Sequence, residues 1–260
     1  LKERVDGLWH VSNLYKIPEQ EELSKRLCNI SFADKVFFCN SGAEAVEGAI
    51  KVARRYHFSK GNKKRNDIIT FEGSFHGRTL GTLAASANNK HIEGFGPMPE
   101  GFVSIPFGDH ELLKNNISSS TAAILVEPIQ GEGGVNIADP SYISGLKKLC
   151  QKNGVLLIFD EVQSGFGRTG KLFAYELYKT KPDIMTMAKA LTNAAQPMGA
   201  VAVSDKVHAA FMDASPEDAV EFFHGYTYSA HPGACAAGIA TMDIFEKEGL
   251  IDRAADLSGY

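Results

Sequence analysis

Two residues stand where strand patterns run out, and both could act on one molecule. Lys189 follows the apolar run Pro182-Asp-Ile-Met-Thr-Met-Ala, and Asp160 closes Val155-Leu-Leu-Ile-Phe. An amine at the end of one buried strand and a carboxylate at the end of its neighbour can serve a single flat heterocycle. The amine condenses with an aldehyde as a Schiff base, and the carboxylate keeps a pyridine nitrogen protonated so that the ring draws electrons.

Three further loops carry residues suited to such a ligand. Cys39-Asn-Ser-Gly-Ala-Glu-Ala45 opens a helix whose positions Val46, Ala49, Ile50 and Ala53 share a face. Ser41, Gly42 and Ala43 therefore offer free backbone N–H groups, at the positive end of a helix dipole and with room for a phosphate; Ser and Asn also serve as ordinary N-caps. In Phe75-His-Gly-Arg-Thr79, Phe75 could stack on a planar cofactor and Arg78 could fork onto a substrate carboxylate, against the plainer reading of a core Phe and a surface Arg. Glu127-Pro-Ile-Gln-Gly-Glu-Gly-Gly134 is a glycine-rich turn in which Glu132 either pairs with an arginine or an amine or is simply solvated. After Asp160 come Glu161, Val162 and Gln163, a run in which Val162 can pack on a ring face and Gln163 can hydrogen-bond a ring hydroxyl. An Asp-Glu pair at a strand end also suits Mg²⁺, but no GxxxxGK[ST] loop accompanies it. A Schiff-base lysine, an acid for a ring nitrogen and a phosphate-sized helix start together call for pyridoxal 5′-phosphate.

These loops need strands to hold them. Apolar runs at 68–71, 122–126, 155–159, 184–187 and 199–203 alternate with helical periodicity, which predicts an α/β fold with a mostly parallel sheet flanked by helices. One helix is bounded closely: Asp139 as N-cap, Pro140 at its first position, Ile143, Leu146, Leu149 and Cys150 on one face, and Gly154 past its end. Ligands of such sheets sit beyond the carboxyl ends of the strands, so Glu127, Asp160 and Lys189 are expected on one rim. Ser204 is the expected N-cap of a helix over 205–211, with a loop over 213–218.

The 260 residues carry a net charge of −4, which gives no electrostatic footprint for nucleic acid or an anionic membrane and points to small-molecule partners. No apolar stretch reaches the roughly 20 residues of a membrane span, and the start lacks a signal-peptide core. Cys28, Cys39, Cys150 and Cys235 form no CxxC pair, and the histidines form no HxxH or HExxH pattern, so structural thiols and no metal site are expected. His76 counts among these structural histidines. The expected compartment is the cytoplasm, or the mitochondrial matrix if a transit peptide precedes the chain.

In order along the chain, Asn40-Ser-Gly-Ala-Glu-Ala, Phe75-His-Gly-Arg-Thr, Glu127-Pro-Ile-Gln-Gly-Glu, Ile158-Phe-Asp-Glu-Val-Gln, Gly167-Arg-Thr-Gly, Pro182-Asp-Ile, Ala188-Lys and His224-Gly-Tyr-Thr-Tyr make the sequence resemble the class III pyridoxal-phosphate-dependent aminotransferases, of the aspartate aminotransferase fold type. Over about the first 190 residues it is most similar to acetylornithine and succinylornithine aminotransferases, through Ser12-Asn-Leu-Tyr-Lys-Ile-Pro-Glu-Gln and Gly170-Lys-Leu-Phe-Ala-Tyr-Glu. From Leu191-Thr-Asn-Ala-Ala-Gln-Pro-Met-Gly-Ala onward it is similar to the ω-amino acid:pyruvate aminotransferases, where an ornithine-type enzyme carries a glycine-rich run before Pro197.

The resemblance implies that Ser41, Gly42 and Ala43 bind the phosphate, and that Phe75, Glu161, Val162 and Gln163 belong to the cofactor site. It further implies that Asp160 pairs with the ring nitrogen and that Lys189 forms the Schiff base. Arg78 would hold a substrate carboxylate, with Glu132 and Tyr226 also on the substrate side; Tyr226 stands where ornithine-type enzymes place a small serine. Thr227 would reach the phosphate of a neighbouring subunit, making the active unit a homodimer. The implied activity moves an amino group from an ω-amino donor such as N-acetylornithine to 2-oxoglutarate. Its rivals are a β-alanine:pyruvate enzyme, a mutase or racemase of the same fold, and a non-catalytic remnant that binds a partner. The chain, from Leu1 to Tyr260, is expected to be the cofactor-binding large domain, a fragment without the N-terminal segment that covers the substrate and the C-terminal small domain.

Overall fold

A computed structural model describes residues 1–216 and 220–257. Among the described residues nine strands form in chain order: β1 (Lys35–Cys39), β2 (Asp67–Phe71), β3 (Phe102–Ile105), β4 (Thr121–Val126), β5 (Ile129–Gln130), β6 (Asn136–Ile137), β7 (Leu156–Asp160), β8 (Ile184–Met187) and β9 (Gly199–Val203). Seven of them make one sheet in the order β1-β9-β8-β7-β4-β2-β3, and β5 pairs with β6 in a separate hairpin. The pairs β2/β3, β2/β4, β4/β7 and β7/β8 are parallel, whereas β9 runs antiparallel to both β8 and β1. All five expected strands are present within a residue of their expected ends, in the α/β architecture expected. β1 and β3, the two edges, were not legible in the sequence.

Burial follows from the pattern. Every residue of β4, β7, β8 and β9 is buried, because helices cover both faces of the sheet, and these strands accordingly read as continuous apolar runs. On one face the Gly42–Ser59 helix buries Val46, Ala49, Ile50 and Ala53 against Leu125, Ile158 and Val201. On the other, the Pro140–Asn153 helix packs Ile143, Leu146 and Cys150 against Ile124, Val126 and Leu157. Each fully buried Leu, Ile or Val contributes about 1.5–3 kcal/mol, so the two layers fix where the strand ends stand.

The bounded helix starts as expected: the Asp139 carboxylate accepts from Ser141 N–H at 2.7 Å, and Gly154 adopts φ 63° at its end. Ser204 precedes the Asp205–Met212 helix, but its hydroxyl makes no capping bond; the Asp34 carboxylate accepts the Asp205 N–H at 2.7 Å instead. Of the expected 213–218 loop, positions 217 and 218 lie outside the described residues. Among the described residues no helix is long and apolar enough to cross a membrane, and the four cysteines are free thiols.

Candidate active site

The carboxyl ends of β7 and β8 lie side by side, with Asp160 opposite Thr186 in the parallel register. Three residues past Thr186 the chain turns into the 3₁₀ segment Lys189–Leu191. Lys189 itself is left-handed at φ 45°, and Asn193 and Ala194 follow at 49° and 58°. Such backbone costs a non-glycine residue about 1–2 kcal/mol, and it persists where surrounding structure imposes it, commonly at functional sites. Here Thr192 Oγ1 donates to the Gln196 carbonyl at 2.5 Å and ties the turn closed. Asn193 and Ala194 occupy the stretch before Pro197 where the chain departs from the ornithine-type pattern, and both hold positive φ angles there without glycine.

Beyond these strand ends opens a cavity of about 530 Å³, within the size range of small-molecule sites. Lys189, Asp160, Gly42, Ala43, Phe75 and Glu127 all line it. The floor is buried and polar. Asp160 is 4% exposed; its Oδ1 accepts from the Val162 N–H at 3.1 Å and the Thr186 hydroxyl at 3.0 Å. Its Oδ2 lies 2.8 Å from His76 Nδ1, and because a carboxylate only accepts, that nitrogen carries the proton. A carboxylate with two lone pairs on each oxygen keeps capacity for a further donor from the cavity.

One wall is the start of the Gly42–Ser59 helix. Ser41 Oγ accepts the Glu44 N–H at 3.1 Å, and Glu44 Oε2 accepts the Asn40 N–H at 2.7 Å, a reciprocal cap that fixes the first turn. The N–H groups of that turn have no partner within the helix and carry the positive end of its dipole. A Cβ on Gly42 would lie 3.1 and 3.3 Å from the two Val162 methyls, so glycine is what lets the helix start sit against Val162.

The turn after β2 supplies a second wall, packed against the helix start where Gly77 approaches Ala43. The Phe75 N–H donates to Glu127 Oε1 at 2.7 Å, and the exposed Arg78 guanidinium lies 5.4 Å from the Phe75 ring centroid. Burial, reinforced by the Asp160 charge, pushes the Glu127 carboxyl up to about 7. At the rim, Gln163 donates to Glu132 at 3.3 Å.

These features coincide with what comparison to known proteins finds. The family model for class III aminotransferases matches residues 1–260. The chain belongs to the class III aminotransferase family. An acetylornithine aminotransferase from Bradyrhizobium diazoefficiens is 50% identical over 258 residues, covering 99% of this chain and 62% of that protein. Among solved structures, an (S)-enantioselective omega-transaminase from Thermomicrobium roseum superposes with a TM-score of 0.93 at 35% identity, over 100% of this chain and 62% of that one. An amine transaminase from an uncultivated Pseudomonas species, solved in its PLP-bound form, gives a TM-score of 0.90 at 28% identity, over 99% of this chain and 64% of that one. The chain thus spans about 62% of the length of the curated relatives it matches.

Within this class III chain, the cavity gathers Ser41, Gly42, Ala43, Phe75, Arg78, Asp160, Val162, Gln163 and Lys189, all singled out from sequence. Glu161 departs from expectation and points away from it. Its Oε2 accepts from the Ala174 N–H at 2.7 Å and the Ser164 hydroxyl at 3.0 Å, and its Oε1 accepts the Tyr175 N–H at 2.8 Å. It is therefore the buried cap of the Ala174–Leu177 helix, and side-chain alternation along the chain explains why it faces opposite to Asp160 and Val162. Burial pushes its carboxyl up to about 7 despite those three donors.

Glu132 is exposed outside the cavity wall and reaches it only through Gln163. Tyr226 does not line the cavity; its ring packs 4.9 Å from that of His224, and burial pushes its phenol up to about 12. Thr227 is exposed and also lies outside the cavity of its own chain. Sequence reasoning missed His76 and Thr186, which hold Asp160. The signal for His76 was its place beside Phe75 and Arg78; Thr186, one polar residue within Ile184–Met187, carried a fainter one.

Proposed function

We propose that this chain holds the pyridoxal phosphate site of a transaminase that takes an N-acetylornithine-type donor and 2-oxoglutarate. The observation that carries the reading is the convergence of Lys189, the His76-supported Asp160 and the uncapped N–H groups of Gly42 and Ala43 on one cavity. The residues fit the group: a helix start opened by glycine for the phosphate, an aromatic and a branched aliphatic wall for the ring, and a buried carboxylate with spare acceptor capacity for a ring N–H. When bound, the cofactor supplies an electron-withdrawing ring that stabilises negative charge at the carbon losing its proton.

The chain's own residues do the rest. Ser41, Gly42 and Ala43 would hold the phosphate, and Phe75 and Val162 would flank the ring. Asp160, oriented by His76 and Thr186, would accept the ring N–H, and Gln163 would bind the ring hydroxyl. Lys189 Nζ would hold the cofactor's aldehyde carbon and, once the amine of the donor has displaced it there, would be free to carry the proton at the reacting carbon. It has to be uncharged for this, against an ordinary lysine pKa of about 10.4. Arg78, at the mouth, holds the substrate carboxylate by its planar fork. Thr227 would reach the phosphate of a neighbouring subunit, as the resemblance implies, and its exposure outside the cavity of its own chain is compatible with a homodimer as the active unit.

The donor assignment follows the acetylornithine aminotransferases, about 50% identical along nearly the whole chain. A second reading, an ω-amino acid donor with pyruvate, is favoured by the 191–200 stretch, by Tyr226 in place of a small serine and by the omega-transaminase neighbour. A donor panel separates them. Glutamate formed from N-acetylornithine and 2-oxoglutarate supports the first, and alanine formed from β-alanine and pyruvate supports the second. A purified chain that takes up no pyridoxal phosphate would overturn both in favour of a binding remnant.

A further inference from the structure

Glu127 has no part in the chemistry set out above, yet it is 3% exposed and lines the same cavity as Asp160. It stands one residue past β4, next to the end of β7, and its Oε1 accepts the Phe75 N–H at 2.7 Å. That bond ties the strand end to the turn carrying both the proposed ring-stacking Phe75 and His76, the partner of Asp160. The titratable and charged groups around Glu127 are Asp160 from β7, His76 and Arg78 from the turn after β2, Glu132 on its own loop and Lys189 past β8. Tyr178 completes the set, donating to the Pro128 carbonyl beside it at 3.0 Å. The site therefore holds two buried carboxyl groups, of which only Asp160 has a histidine partner.

We propose that Glu127 is a positioning residue that works as the neutral acid, anchoring the Phe75–His76 turn and leaving Asp160 as the single buried negative charge behind the cofactor. This rests on the pyridoxal phosphate reading of the cavity. Two carboxylates that share a desolvated site repel each other, and that repulsion together with burial favours a proton on one of them. Burial and the nearby Asp160 charge favour the proton on Glu127, whose carboxyl is lifted to about 7. Asp160 accepts hydrogen bonds from three donors, His76, Val162 and Thr186. An anionic cofactor lifts Glu127 further, so by reciprocity ionising Glu127 weakens the hold on that anion.

The test measures the affinity of the purified chain for pyridoxal phosphate, by its absorbance change, from pH 6 to pH 8.5 in three proteins: wild type, Glu127→Gln and Glu127→Ala. Titrations of the cofactor itself are common to all three and cancel in the comparison. The wild-type affinity is expected to fall about five- to tenfold more than that of Glu127→Gln across this range, as for two charges interacting through a partly shielded interior. Glu127→Ala is expected to bind about tenfold more weakly than Glu127→Gln at pH 6, where the wild type is neutral, because it lacks the acceptor for Phe75.

Cofactor-free protein gives an independent readout. Its urea midpoint should fall relative to Glu127→Gln as pH rises through about 7, because a raised folded-state pKa is a stabilisation lost on ionisation. If wild type binds the cofactor and Glu127→Gln follows its pH curve in parallel, this inference is overturned while the site reading stands. If wild type binds no pyridoxal phosphate at any pH, both are overturned.

Discussion

Replacing His76 by leucine isolates the bond on which the floor of the site depends. The Nδ1–Oδ2 contact is 2.8 Å, with the His76 side chain fully buried and that of Asp160 3% exposed, and a leucine side chain filling the place of the ring offers no donor in its stead. Oδ1 keeps its two donors from Val162 and Thr186, and Oδ2 keeps none from the protein. Removing one partner of a buried pair costs about 3–5 kcal/mol. The variant can escape by letting Asp160 take up a proton, which for an ordinary aspartate at pH 7 costs about 4 kcal/mol and caps the loss. That cap shrinks by about 1.4 kcal/mol for each pH unit of acidification.

Urea unfolding of His76→Leu is therefore expected to show a deficit of about 3–4 kcal/mol at pH 7 that falls below about 2 kcal/mol at pH 5. His76→Asn, whose amide can donate from close to the Nδ1 position, should recover much of it. The sign is fixed by the proton: a carboxyl that is easier to protonate in the folded variant makes the variant relatively more stable in acid. A deficit under 1 kcal/mol at pH 7, or one that does not change with pH, would refute the view that His76 holds an ionised Asp160.

Three further outcomes are expected. Gly42→Ala should weaken pyridoxal phosphate binding about tenfold by pushing on Val162, and adding Val162→Ala should restore part of that loss; additive effects in this double-mutant cycle would contradict the contact. Glu161→Gln should be less stable than wild type at pH 5, with a deficit that narrows by about 3 kcal/mol as pH rises past about 7, because wild-type Glu161 gives up its proton over that window; a constant gap would show that the carboxyl is already ionised at low pH. Ala194→Gly should raise the urea midpoint by about 0.5–1 kcal/mol in stability by relieving the left-handed backbone, and a loss would show that the turn is not strained there.

The parts of the fold legible in the sequence are those where burial is symmetric. β4, β7, β8 and β9 have every residue buried and read as unbroken apolar runs, and β2 nearly so. β1 and β3 are edges of mixed burial, with Lys35 exposed in one and Ser104 half-buried in the other, and such short mixed runs resemble loops. The site was legible where chemistry sits at a strand end, as at Asp160 and Lys189, or where a small residue opens a helix, as at Gly42. Glu161 misled because adjacency to Asp160 says nothing about which way a side chain turns. His76 was hidden by its residue type, since a buried histidine serves structure in most settings; only the 2.8 Å contact separates the two roles. The left-handed turn from Lys189 to Ala194 could not be read from Lys, Asn and Ala, which carry no local demand for positive φ.

Lys189 is the residue on which the pyridoxal phosphate site turns. Incubating the purified chain with pyridoxal phosphate, reducing with borohydride and sequencing the peptides by mass spectrometry should place a single pyridoxyl phosphate adduct on Lys189, absent from Lys189→Ala. An adduct of equal yield on another lysine, or one that persists unchanged in Lys189→Ala, would contradict the account.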